Sequence, residues 1–495
     1  MKKIHKLYDK IGIYLLSLGI IILNFSLAFD HVVWGDEAYS EMAIRNCDLY
    51  GIFQRVYYWD SHPPLYYYFL RLFADLFGYK TPVYHIASLI PFTVGIILAC
   101  TVLKKLLGSL SATFFILVSG LSESCVEYNL EIRMYSLVFL FVFLCVICSY
   151  KILENAQPKS LWILMTVFGV LAAYTHYYGL MICGLIILFT GLYVILIHKR
   201  KLWPHALISL STYIVLYIPW LFVLRFQTQA ELNNSWMTAP ETLHNILRFI
   251  TGGHRLYPVV FSLIVFLSIY ILIKESGLIG IQRGPAKGSF LISFHKPSVK
   301  KWSLELKGIT LYWLCIGVLL GFSYAVSFLF HPILAFRYSY VLIPLVLFIL
   351  MLCVKNILTA YKNTAVTVAT YIILLFLLIS GLFDFKYFRS VTKTQDYQTS
   401  LVLDLVGTPH EDAILCSNGV KHLAWSVLSY YYDNEITTEN PTSLDVEPSE
   451  FWCFIGYEYE QDLLDEMKAK GYTVSPHLDM WLGKYAVNIY HFYKW

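Results

Sequence analysis

The chain has 495 residues, 58% of them hydrophobic and only 14% charged, with a mean hydropathy of +0.59 and a formal net charge of +4. Soluble domains carry about a quarter charged residues, and no compact shape hides this much apolar surface from water. A soluble enzyme and a disordered or fibrous chain are therefore excluded, and so small a net charge with no basic patch gives no case for nucleic-acid binding.

A bilayer core about 30 Å thick takes roughly 20 helical residues. Apolar runs near that length at 11–29, 83–103, 107–121, 134–150, 161–178, 179–197, 203–224, 258–273, 308–329, 340–354 and 364–383 predict an all-α polytopic membrane protein of about eleven spans. The first run follows Lys2, Lys3, Lys6 and Lys10, as a signal peptide would, but its core is long and Asn24, Phe25 and Phe29 offer no small-residue cleavage site. It reads as a retained helix. The ten cysteines mostly sit in apolar runs without CxxC spacing and read as buried hydrophobes, neither zinc ligands nor a disulfide frame.

Lys and Arg counted over the short loops set the orientation. With the N-terminus in the cytoplasm, twenty basic residues fall inside and nine outside. That places the loops 30–82, 225–257 and 331–339 outside, together with the tail from about 384. The basic inner segment 274–307 reads as a positive-inside tether. The tail alternates strand-like runs (413–416, 452–456, 485–490) with helix-like runs (420–432, 460–470), and Gly471 stands where a C-cap belongs. A small extracytoplasmic α/β domain over 384–495 is expected, after a membrane domain over 1–383.

The charges concentrate in the first outer loop. Asp36 and Glu37 follow the first span directly, in Trp34-Gly35-Asp36-Glu37, and a second cluster runs from Trp59-Asp60-Ser61-His62-Pro63-Pro64 to Tyr66-Tyr67. Adjacent carboxylates do not share a helix face, so one can serve as a general base while its neighbour orients or caps; a solvated interfacial pair at a helix N-terminus is the other reading. The tandem prolines block a helix and hold the His62 imidazole at a defined height, though a satisfied interfacial histidine has the same pattern. A third cluster, Glu127 to Tyr135, puts Glu131, Arg133 and Tyr135 at the start of the fourth predicted span. Arg133 reads either as a bidentate phosphate ligand or as a side chain snorkelling to headgroups. His176 and the pair Arg337-Tyr338 fill two further short outer turns.

These motifs resemble the GT-C glycosyltransferases, closest to the family 39-like branch of protein O-mannosyltransferases and the aminoarabinose transferases that modify lipid A. The resemblance covers the membrane part, and its specific motifs occupy about 50 residues. It implies a polyprenyl-phosphate-linked sugar as donor, transfer outside the cytoplasmic membrane with inversion, and membrane lipids as surroundings. It puts the catalytic acid on Asp36 with Glu37 completing the pair, and His62 on the family's histidine. It makes Arg133 and Arg337 phosphate ligands; Tyr66, Glu131, Tyr135, His176 and Tyr338 complete the candidate substrate-binding set. No cofactor or divalent metal is implied. The large sugar-binding insertion of the protein O-mannosyltransferases is missing, which favours a glycan or lipid acceptor over a protein. Two rivals stand: a secondary transporter, which would place its ionisable residues near the midplane, and a lipid-linked glycan polymerase or ligase, which centres on a large late outer loop.

Overall fold

The computed structural model describes residues 2–30, 32–197, 202–234, 237–277, 279–283, 290–294, 299–406, 414–418, 429–432, 449–455, 460–475 and 478–494. Among them, nine helices are long and apolar enough to cross a membrane, or ten if one bent pair counts as a span. The bent pair, Ser109–Leu121 with Glu123–Leu130, turns by 64°. The fifth predicted run, 161–178, ends early. Its helix, Lys159–Ala173, has 15 residues and rises only about 22 Å, short of a bilayer core.

Hydropathy alone cannot rank the spans; burial does. The most apolar windows of Tyr135–Glu154 and Phe336–Ala360 are 83% buried, whereas that of Thr364–Leu405 is 22% buried. The first two are the inner helices of the bundle. The polar backbone at the 64° bend is satisfied locally, as an apolar solvent demands. Ser122 caps the second helix, its Oγ accepting from the Cys125 N–H at 3.4 Å. The helix Thr364–Val406 runs unbroken through residue 384, because no Gly or Pro follows Gly381 before position 407.

The chain divides into two compact units. The first comprises Met1–Phe25, Leu49–Phe73 and His85–Phe385; the second gathers Ser26–Asp48, Ala74–Tyr84 and Lys386–Trp495. The loop 30–82 is therefore shared between them. In the second unit, Ile414–Asn418 pairs in parallel with Glu450–Ile455, which pairs antiparallel with Tyr485–Tyr493. Thr473–Val474 and Leu478–Leu482 also pair antiparallel with Tyr485–Tyr493. Strand alternation buries both faces: Phe454, Val487 and Ile489 pack with Val402 on one side. On the other, Phe451, Cys453, Tyr490 and Phe492 pack with Leu463 and Met467 of the helix Glu460–Ala469. Gly471 ends that helix at φ +86°, a conformation glycine adopts without strain. Of the expected helix 420–432, only Ser429–Tyr432 lies within the described residues.

Candidate functional site

The turn before the second apolar stretch is built on Asp60. Its Oδ1 accepts from the Ser61 backbone N–H at 2.7 Å, an Asx-type closure, and lies 2.8 Å from His62 Nδ1. A carboxylate has no proton to give, so Nδ1 is the donor in that pair. Tyr67 donates to the other carboxylate oxygen. Pro63 and Pro64 carry the chain straight from this turn into the helix Leu65–Phe77, whose first N–H is held by the Tyr174 carbonyl at 3.0 Å. Burial by itself would raise the Asp60 carboxyl; His62, Arg133 and Tyr67 outweigh it and hold the group well below the usual carboxylate range.

Arg133 enters this cluster from the turn after the bent helix pair. It is 4% exposed, and its Nη1 donates to the Tyr67 hydroxyl at 3.0 Å, while Nη2 stands 3.3 Å from His62 Nδ1. The turn is fixed from three sides. Its own Glu131 carbonyl accepts from the Arg133 N–H at 2.7 Å. His85 lies 3.0 Å from the Leu130 carbonyl, one of the oxygens left open where the helix ends. Tyr340 donates to Asn129 Oδ1 at 2.7 Å.

His176 and Tyr338 close the assembly. The His176 ring lies 5.4 Å from that of His62, 5.5 Å from that of Tyr338 and 6.1 Å from that of Tyr135. The Tyr178 backbone N–H donates to His176 Nδ1 at 3.0 Å, which leaves the ring proton on Nε2. That nitrogen is buried and has no hydrogen-bond partner among the described residues. Burial, reinforced by the charges of His62, Arg133 and Arg337, lowers the His176 pKa well below the ordinary value, so the ring is neutral. Arg337 and Tyr338 are only half-buried. Tyr66 is fully buried but spends its hydroxyl on Ser88, at 2.9 Å. Glu131 is buried in the same turn as Arg133.

Six of the sequence-predicted residues thus build one polar assembly in the first unit: His62, Glu131, Arg133, Tyr135, His176 and Tyr338, with Arg337 acting on His176 through its charge. Asp60 and Tyr67 were the components that motif reading passed over. The visible signal was an aspartate two residues before a His-Pro-Pro, the spacing at which an Asx turn brings both side chains together. Among the described residues, no three His, Cys, Asp or Glu side chains form a group able to hold a metal ion.

Asp36 and Glu37 belong to the second unit. They open the helix Gly35–Asn46, and the two acids divide their roles. Glu37 is fully buried and its Oε2 accepts from the Trp34 N–H at 3.2 Å, capping the first turn. Asp36 is half-buried, one position away on the cylinder. One turn further, Glu41 is 3% exposed, and Thr81 donates to it at 3.5 Å. Burial, against the pull of Arg45, raises the Glu41 pKa from 4.5 to about 7.

A raised folded value means that the stabilising contribution is complete below pH 4.5 and is lost as the pH climbs through 7. The full difference corresponds to about 3 kcal/mol. Glu41→Gln is therefore expected to raise the melting temperature of the purified protein at pH 8 and leave it unchanged at pH 4.5. Equal effects at the two pH values would rule out a titrating Glu41.

The comparisons with known proteins converge on one architecture. Residues 61–223, about a third of the chain, match the family model described as dolichyl-phosphate-mannose-protein mannosyltransferase. That span includes His62, Tyr66, Glu131, Arg133, Tyr135 and His176, but neither Asp36 nor Arg337. No curated protein matches the chain in sequence. In structure, it is similar to ArnT from Cupriavidus metallidurans in the apo state, with a TM-score of 0.59 at 10% identity over 97% of this chain and 98% of that one. It is similar also to the same protein bound to undecaprenyl phosphate, with a TM-score of 0.58 at 11% identity over the same shares. Residues 61–223, which carry Arg133 and His176, thus resemble the dolichyl-phosphate-mannose-protein mannosyltransferase family, and the chain shares the fold of ArnT over almost its whole length.

Proposed function

We propose that the protein moves a sugar from a polyprenyl-phosphate donor to an acceptor hydroxyl on the extracytoplasmic side of the cell membrane. The observation that carries this reading is the Arg133 guanidinium, held by the Tyr67 hydroxyl that in turn bonds Asp60, within the segment matched by the family model. ArnT, which shares the fold, binds undecaprenyl phosphate, and a guanidinium fork suits that phosphate better than any other side chain. The side follows from the lysine and arginine bias, with the N-terminus cytoplasmic. In this reading, residues 1–383 perform the chemistry, and 384–495 form the extracytoplasmic domain.

The polyprenyl phosphate is a good leaving group once its charge is met. The bond between the anomeric carbon and the phosphate oxygen breaks, and the electron pair departs with the phosphate. Arg133 and the half-buried Arg337 absorb the developing charge. The acceptor hydroxyl attacks the opposite face of the sugar, inverting the anomeric centre, and yields its proton to Asp36 acting as general base. His176, neutral and carrying its proton on Nε2, is a donor for a substrate oxygen and not a second cation. No step requires a divalent ion, so turnover is expected to persist in chelator.

Arg133→Lys tests the donor half of this scheme. The lysine keeps a charge opposite Asp60 but loses the bidentate fork, so the donor KM is expected to rise about tenfold or more with the acceptor KM little changed. Initial rates at varied donor measure it. An unaltered donor KM would remove Arg133 as the phosphate ligand.

A further inference from the structure

The Asp60–His62 turn is fastened on both sides to the short segment that carries His176, and one of the two fastenings runs through a buried glutamine far along the chain. We propose that Gln227 is a positioning residue for the donor site: it clamps the end of the helix Leu49–Trp59 to Tyr177 and so sets the spacing between His62 and His176. Calling the ligand of that site a donor rests on the transferase reading; the clamp stands on its hydrogen bonds.

The hydrogen bonds of the clamp run in one direction. Trp220 Nε1 donates to the Tyr177 hydroxyl at 3.1 Å, Tyr177 donates to Gln227 Oε1, and Gln227 Nε2 donates to the Val56 carbonyl at 2.7 Å. A backbone carbonyl only accepts, which fixes the orientation of the amide. The Val56 carbonyl is the first of the four left open where the helix Leu49–Trp59 ends, and Asp60 is the next residue of the chain. Gln227 and Val56 are both buried, so the amide takes the place of water at that carbonyl.

The second fastening is the Leu65 N–H on the Tyr174 carbonyl at 3.0 Å. Tyr174 and Tyr177 stand on either side of His176, so the segment between Val56 and Leu65 is strung between two points that flank this histidine. Within that segment His62 brings its ring 5.4 Å from that of His176, and Asp60 accepts from Tyr67, which holds Arg133. Loss of Gln227 releases one end of the segment only. The helix Leu49–Trp59 stays against Trp203–Asn234 through aromatic packing, Tyr57 stacked on Phe226 at 4.9 Å and Phe53 edge-on to Trp220 at 6.1 Å. The helix therefore keeps its place while the turn beyond it loosens, and a misplacement of about 1 Å at a group that holds substrate costs up to about 10²-fold in rate.

The test uses the full-length protein in detergent, with isotope-labelled histidine rings for NMR and initial rates at varied donor and acceptor. In Gln227→Glu the carboxylate still accepts from Tyr177 but has no N–H for the Val56 carbonyl. The donor KM is expected to rise about tenfold with the acceptor KM unchanged, and the ring signals of His62 and His176 are expected to move together. Tyr177→Phe opens the clamp from its other end without adding charge and is expected to act in the same direction. It carries the test by itself if Gln227→Glu does not fold. Thr166→Val is the control: it removes a different buried hydrogen bond to the helix Trp203–Asn234, that between Thr166 and Ser209, and is expected to leave both KM values and both ring signals unchanged. In a protein that transfers sugar, an unchanged donor KM in Tyr177→Phe, an equal rise in both KM values, or the same donor effect in Thr166→Val overturns the proposal. Ring signals that move in a protein that transfers no sugar would uphold the clamp and overturn the transferase reading.

Discussion

Asp36→Asn is expected to cut sugar transfer by about 10²–10⁴-fold, the range that a positioned general base contributes, while the protein still folds and inserts. The asparagine has the same shape, and the side chain is half-buried at the first turn of its helix, so little packing is disturbed. The informative control is its neighbour. Glu37→Gln keeps an amide oxygen to accept from the Trp34 N–H, so turnover and stability should both stay near normal. Glu37→Ala loses the cap and should cost about 0.5–2 kcal/mol. Transfer rates and melting temperatures of the three variants decide between the acids. Near-normal turnover in Asp36→Asn with loss in Glu37→Gln would exchange their roles.

Asp60→Asn is expected to be the most destabilising of the conservative changes, by about 3–5 kcal/mol, because it strips the carboxylate from a buried arginine and histidine. The amide satisfies the Ser61 N–H but removes the negative charge that faces His62 and the buried Arg133. The pH signature is opposite to that of Glu41. A depressed carboxyl contributes its stability above the unfolded value of 3.8 and loses it only as the pH falls below that. The penalty in Asp60→Asn should therefore be constant from pH 5 to 9. Adding Arg133→Gln should cost less than the sum of the single changes, since the residues are coupled. Additive melting shifts would show that the buried pair is not an energetic unit.

Particular residues show how far a sequence reading reaches. Gly471 after an amphipathic run foretold a helix end, because the left-handed C-cap is a local requirement that glycine meets without cost. The His-Pro-Pro segment foretold a stiff turn for the same reason: proline acts on its immediate neighbours. The run 161–178 reads as apolar to its end, yet its helix stops at Ala173 to form the turn holding Thr175 and His176, which hydropathy does not report. Asp60 was visible as one acid among seven in its loop, yet nothing local distinguished it. Its importance comes from Arg133, 73 positions away, which reaches it through Tyr67.

Membrane class, the approximate number of spans and the residue types able to meet a phosphate were determined by the sequence by itself. Those properties are sums over neighbouring residues, and the bilayer reads them one segment at a time. The tertiary structure decided which of the polar residues act together. It buried Asp60 with His62 and Arg133, kept His176 neutral, gave Glu37 to a cap, buried Glu41 beside Thr81, and opened a carboxylate-lined cavity next to Tyr128. Each of those outcomes depends on contacts between segments far apart in the chain, where desolvation and a partner's charge set the energy of a group more than its own identity does.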